Sequence, residues 1–158
     1  MRIGQGFDAH KFAEGRKLVL AGVVIDYPRG LEGHSDADVP AHAVIDALAG
    51  AAGLGDIGAR FPDSDPAYRD ASSIGLLANT AKEVISLGYR IGNVDVTIIA
   101  EEPRIGPYRA AMVDNLATAT GVPPERVNVK ATTTEGLGFT GRKEGIAALA
   151  VVLLEEGG

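Results

Sequence analysis

The spacing of apolar and polar positions changes several times along the chain, and each change marks an element. Residues 2–12 alternate and carry Gly4 and Gly6, which predicts a strand whose glycines let other backbone or a ligand come close. Residues 17–20 and 23–27, split by Ala21-Gly22, predict a short hairpin. Asp38 is a good N-cap for a helix that takes Pro40 in its first turn and runs to Gly53. The stretch 53–70 is dense in Gly, Pro and Asp and longer than most connections in a compact domain, the kind of loop that is either functional or disordered. Residues 71–87 have helical spacing at Ile74, Leu77, Ala78, Ala81 and Ile85 and stop at Gly88. Residues 89–100 predict a strand, 107–121 a third amphipathic stretch, and 126–132 and 145–154 two more strands.

The last strand is apolar at successive rather than alternate positions, so both of its faces are expected to be buried. Helices cover one face of a small sheet, and a chain of 158 residues has nothing left for the other. An identical subunit is the simplest cover, so the pattern predicts a homo-oligomer. The length also predicts one domain over residues 1–158.

Charge and composition narrow the partners. A net charge of -6 without a Lys/Arg cluster argues against nucleic acid but leaves small anions open. The longest apolar run, residues 146–154, is far short of the roughly 20 residues that span a bilayer. The first residues show no apolar signal core or Arg/Ser-rich transit pattern, so the expected compartment is the cytoplasm. With no cysteine, any transition metal must take imidazole and oxygen ligands.

Only three histidines are present, His10, His34 and His42. Asp8 and His10 are two apart on the first strand and leave the same face. His42, in the first turn of the Asp38 helix, would complete a set of two imidazoles and one carboxylate with an open coordination position. That set suits catalytic zinc, and equally a mononuclear iron(II) centre. Taken alone, Asp-x-His is also an ordinary polar strand face and His42 an ordinary core histidine. Asp46, one turn after His42, is a candidate to orient its ring. The run Gly33-His34-Ser35-Asp36-Ala37-Asp38 precedes a helix N-terminus, where free N–H groups favour anions. Thr132-Thr133-Thr134-Glu135 follows a strand and offers hydroxyls and a hard oxygen ligand suited to magnesium.

Five motifs stand in order: Gly-x-Gly-Phe-Asp-x-His at 4–10, Gly-His-Ser-Asp-Ala-Asp-Val at 33–39 with His42, Gly-Asp-Ile-Gly at 55–58, Phe-Pro-Asp at 61–63, and Lys-Ala-Thr-Thr-Thr-Glu through Leu-Gly-Phe-Thr-Gly-Arg at 130–142. The series closely resembles the 2-C-methyl-D-erythritol 2,4-cyclodiphosphate synthases, nearly end to end. The resemblance implies an α+β sandwich: a small mixed sheet, helices packed on one face, the other face buried at a homotrimer axis. It implies a lyase of non-mevalonate isoprenoid (terpenoid) biosynthesis that closes 4-diphosphocytidyl-2-C-methyl-D-erythritol 2-phosphate into the cyclic diphosphate and releases CMP. By the family pattern Asp8, His10 and His42 hold zinc, Glu135 holds magnesium or manganese with the substrate's phosphates, and His34 and Thr133 steady the transition state. Ser35, Asp56, Ile57, Gly58, Phe61, Pro62, Asp63, Ser64 and Asp65 would surround the erythritol part. Ala100, Glu101, Glu102, Pro103, Arg104, Ile105 and Gly106, with Thr132, Thr134, Phe139 and Arg142, would take the cytidine and its phosphates, with active sites shared between neighbouring subunits.

The chain departs from the family at Gln5, where many members carry His, at Arg104-Ile105-Gly106 and at Gly136. Strand parity points position 5 away from Asp8 and His10. Two rival readings are a metal-dependent phosphodiesterase and a non-catalytic oligomeric carrier of a prenyl diphosphate. Phe7, Phe139 and Arg142 would line and cap an axial cavity for the latter, where binding could also coexist with catalysis.

Overall fold

The computed structural model describes residues 1–62 and 64–157. Strand β1 (Arg2–Ala13) is followed by three short strands, β2 (Leu18–Leu20), β3 (Val23–Ile25) and β4 (Gly30–Leu31). Helix α1 (Val39–Ala52), a single turn α2 (Ile57–Arg60) and helix α3 (Ser73–Ser86) come next. Then follow β5 (Tyr89–Ile99), α4 (Arg109–Thr120), β6 (Val127–Thr132), the short α5 (Gly138–Gly141) and β7 (Gly145–Glu156). The five-stranded sheet has the order β4-β1-β7-β5-β6, with β5 and β6 parallel and the other pairs antiparallel. Strands β2 and β3 form a separate hairpin. The mixed α+β layering expected from the motifs is what is found.

Two glycines set the depth of the sandwich. Even-numbered residues of β1 face α1, and a Cβ on Gly4 would lie 1.8 Å from the Ala47 carbonyl oxygen, one on Gly6 1.9 Å from that of Ala43. Only residues without a side chain allow the helix to lie directly on the strand. Asp8 and His10 continue this same face, so the approach that seats α1 also brings His42 to them. The helix itself starts where expected: Asp38, fully buried, accepts the Ala41 N–H at 3.1 Å and also the Ala21 and Gly22 N–H groups at 2.7 and 2.6 Å, tying the β2–β3 turn to the α1 N-terminus. It ends at Gly53 with φ 75°, a left-handed C-cap.

The core lies between the sheet and α1, α3 and α4, with Val44, Ile45, Leu48, Leu77, Met112, Leu116, Ile98 and Ile146 fully enclosed. Each such side chain contributes about 1.5–3 kcal/mol relative to exposure. The successive apolar residues of β7 separate by parity: Ile146, Ala148, Ala150, Val152 and Leu154 enter this core, whereas Leu149 and Val151 are 36% and 44% exposed on the opposite face, beside Ile3 and Phe7 of β1. Within one chain the second face is therefore left open at Leu149 and Val151, and among the described residues no helix of the same chain covers it. The predicted loop 53–70 also holds more structure than its composition implies, namely α2 and a 3-10 turn at Pro66–Tyr68, each begun by an aspartate that accepts a backbone N–H: Asp56 from Ala59 and Asp65 from Ala67. Among the described residues no helix is long and apolar enough to cross a membrane.

Candidate metal centre and phosphate site

Asp8, His10 and His42 meet at the end of β1 beside the first turn of α1. One ligand atom from each lies within 4.8 Å of the others. Asp8 Oδ2 is 3.0 Å from His42 Nδ1 and 3.2 Å from His10 Nε2. The far side of each ring is already committed. His10 Nδ1 is 2.5 Å from the Glu32 carbonyl oxygen, which can only accept, so Nδ1 carries the proton. His42 Nε2 is 2.8 Å from Ser73 Oγ and 3.2 Å from Ser35 Oγ. Ser73 Oγ donates its own proton to the Asp36 carboxylate and so accepts from His42. In both neutral rings the remaining lone pair then faces the Asp8 carboxylate. Three acceptors turned on one point repel unless a cation sits among them, so the residues present fit a divalent metal. With both rings in the imidazolium form the same two nitrogens instead carry protons toward Asp8; burial then works to raise the Asp8 carboxyl, but the hydrogen bonds and charges of His10 and His42 outweigh it and hold the group well below the usual carboxylate range.

This face of the triad opens into a cavity of about 210 Å³ lined also by Gly33, His34, Ser35, Ile57, Gly58, Phe61, Tyr68 and Leu76. The backbone of the His34 loop is fixed from two sides: the Arg16 guanidinium donates to the Gly33 and Ser35 carbonyls, and the Asp70 N–H donates to the His34 carbonyl at 2.8 Å. A neighbouring cavity holds Arg16, His34, Ser64, Asp65 and Arg69. Pro62 is half-buried and lines neither cavity, Asp56 serves as the exposed cap of α2, and Asp63 lies outside the described residues.

A third, separate cavity of about 590 Å³ is lined by Ala100, Glu101, Pro103, Arg104, Ile105, Gly106, Ala131, Thr132, Thr133 and Glu135. It shares no lining residue with the metal cavity, so within one chain Thr133 and Glu135 line a different cavity from His34. Glu101 Oε1 accepts the Thr134 and Gly136 N–H groups at 3.1 and 3.3 Å, holding the turn on which Glu135 sits at φ 54°. The Thr134 hydroxyl is turned inward, 3.0 Å from Thr140 Oγ1. Glu102 pairs with Lys143, Arg142 with Glu144 at 2.9 Å, and Phe139 is exposed on α5; none of these three lines the cavity.

A model of the YgbB family matches residues 1–155. The chain belongs to the YgbB family. Its relatives include the 2-C-methyl-D-erythritol 2,4-cyclodiphosphate synthases of Moorella thermoacetica, 61% identical over 98% of this chain and 94% of the relative, and of Desulfatibacillum aliphaticivorans, 57% identical over 98% and 100%. Among solved structures, a 2C-methyl-D-erythritol-2,4-cyclodiphosphate synthase in a CDP-bound form superposes with a TM-score of 0.89 at 40% identity, covering 98% of this chain and all 100% of that one. The bifunctional IspDF of Campylobacter jejuni superposes with a TM-score of 0.94 at 46% identity over 98% of this chain, which spans 42% of that longer protein. The resemblance read from the five motifs is thus borne out, and the chain is an enzyme.

Within this YgbB-family fold, sequence reasoning missed what backs the ligands. Asp46 does not orient His42; its carboxylate accepts the Ile57 N–H at 3.1 Å and anchors α2, because one turn along α1 carries it past the ring towards the loop. Ser73 and Ser35 hold the ring instead. The Ser72-Ser73 pair at the start of α3 signals a helix cap, and Ser72 takes that role by accepting the Gly75 N–H at 3.4 Å, but nothing in the sequence shows that Ser73 faces a histidine 31 positions away. Gln5 lies exposed on the opposite face of β1, as its parity requires.

Proposed function

We propose that this chain converts 4-diphosphocytidyl-2-C-methyl-D-erythritol 2-phosphate into 2-C-methyl-D-erythritol 2,4-cyclodiphosphate and CMP, acting as a phosphorus-oxygen lyase of the non-mevalonate pathway in the cytoplasm. The observation that carries this reading is the convergence of three acceptors from Asp8, His10 and His42 on a cation position at the mouth of a cavity that already holds His34 and Ser35.

An oxygen of the substrate's own 2-phosphate forms the new bond to the β-phosphorus. The bond from that phosphorus to the bridging oxygen breaks, and CMP leaves with the electron pair. No protein nucleophile is required. When bound, zinc at the triad and magnesium or manganese at Glu135 supply charge neutralisation on the phosphate oxygens. The Gly33–Asp38 loop, held by Arg16, presents His34 and the Ser35 hydroxyl to those oxygens, while Ile57, Gly58 and Phe61 enclose the erythritol part. Ala100 to Gly106 and Thr132 to Glu135 receive the cytidine and its phosphates. Holding two phosphates in attack geometry is worth about 7–11 kcal/mol in favourable intramolecular systems.

Because one chain separates the two half-sites, this mechanism needs two copies, and the bare apolar face of Ile3, Phe7, Leu149 and Val151 offers them an axis. A homotrimer fits, and Phe7 would then face an axial space able to take a prenyl diphosphate. Against the phosphodiesterase reading, the carboxylates of Asp36, Asp38, Asp46 and Asp56 are, among the described residues, all engaged as acceptors of backbone or hydroxyl groups. Phosphorus NMR of the protein with zinc, magnesium and the substrate tests the proposal. Matched appearance of CMP and a cyclic diphosphate is expected; linear hydrolysis products, or bound but unchanged substrate, would overturn it.

A further inference from the structure

His10 and His42 are backed differently. A backbone carbonyl, which can only accept, fixes the tautomer of His10. The partners of His42 Nε2 are hydroxyls, Ser73 Oγ at 2.8 Å and the more distant Ser35 Oγ at 3.2 Å, and a hydroxyl can donate or accept and by itself fixes nothing. What removes the ambiguity is Asp36. Its Oδ1 takes the Ser73 hydroxyl proton and its Oδ2 accepts the Ser73 N–H at 3.1 Å, so the whole Ser73 residue is gripped by one carboxylate. Asp36 Oδ1 also accepts the Asp38 N–H at 3.3 Å, so the carboxylate cannot turn away without releasing the start of α1. Ser73 is fully buried, and its oxygen has one acceptor lone pair aimed at His42 Nε2, 2.8 Å away.

We propose that Ser73, oriented by Asp36, is a positioning residue for His42: it holds the ring as the Nε2–H tautomer and thereby turns the Nδ1 lone pair to the metal position. The inference rests on the metal reading of the triad. Metal-binding imidazoles commonly donate their other N–H to a carboxylate or carbonyl, and losing that partner typically lowers metal affinity 10–100-fold. Here the carboxylate acts through a serine contributed by the first residue of α3. The same contact joins the metal ligand to the end of the 57–70 segment, since the Asp36 N–H also donates to the Ala71 carbonyl at 3.3 Å.

The test uses the full chain with nitrogen-15 histidine and zinc. In the wild-type protein the nitrogen spectrum is expected to show a proton on His42 Nε2 and zinc on Nδ1; zinc on Nε2 would overturn the proposal while leaving the metal site standing. Failure of the wild-type protein to bind zinc would overturn the metal reading and this inference with it. For Ser73→Ala, competition with a chromophoric chelator should show zinc affinity reduced 10–100-fold, and the metal-free ring should populate both tautomers. A Ser73→Ala protein that melts lower without zinc yet binds zinc as tightly as wild type would assign Ser73 a structural role only. Should that variant not fold, the wild-type spectrum still decides.

Discussion

Gly6→Ala tests whether the contact between β1 and α1 builds the metal centre. The added Cβ would stand 1.9 Å from the Ala43 carbonyl oxygen and 2.8 Å from the Ala47 nitrogen, both backbone atoms, whereas ordinary contact begins at 3.4 Å. No rotamer relieves a clash between a methyl group and helix backbone, so α1 must move away from β1 by about 1–1.5 Å, and His42, one residue before Ala43, moves with it. Overpacking of this kind costs about 1–3 kcal/mol. A displacement near 1 Å at a catalytic group can cost about 100-fold in rate. Gly50→Ala is the control: it lies on the exposed side of the same helix with nothing within 4 Å of the new Cβ, and should stabilise by about 0.5–1 kcal/mol through helix propensity and leave zinc affinity unchanged. Urea unfolding, zinc competition and turnover of the two variants give the comparison. A Gly6→Ala protein within 0.5 kcal/mol of wild type, with normal zinc affinity, would refute the account of how the site is assembled.

Three further outcomes follow from the same structure. Glu101→Ala removes the acceptor for the Thr134 and Gly136 N–H groups and should raise the magnesium concentration needed for turnover while lowering stability by about 1–2 kcal/mol; an unchanged magnesium dependence would show that Glu101 does not place Glu135. In the metal-free protein the depressed Asp8 carboxyl contributes stability that is present above its ordinary value of 3.8 and is lost as pH falls towards the lower folded value, so Asp8→Asn should flatten the acid limb of a melting-temperature titration, and superimposable limbs would count against the pairing. Sedimentation should give three times the chain mass for the wild type and a smaller species for Leu149→Lys, which places a charge beside Phe7 on the exposed sheet face; a wild-type mass of one chain would sink the shared-site mechanism.

What the sequence made legible was whatever depends on local periodicity. The parity of β1 placed Asp8 and His10 together and Gln5 apart, and the Asp38 cap put His42 in the first turn of α1, because strand and helix periods act over a few residues. The glycines at 4 and 6 announced a close approach, though not that α1 makes it. The partners that finish the site are set by packing across long sequence separations: Ser73 on His42, Arg16 on the His34 loop, Glu101 under Glu135. Serine, arginine and glutamate are common surface residues, and no spacing rule distinguishes those that end up buried against a functional group. Asp46 shows the converse error, for it has the spacing of a second partner to His42 yet its carboxylate is taken by the Ile57 N–H. The ligands of this site are therefore written in local pattern, while their orientation is written in tertiary contacts. Substitutions of the second kind should change the geometry of the site before they change the fold, since each removes about two hydrogen bonds and leaves the apolar packing of the core intact.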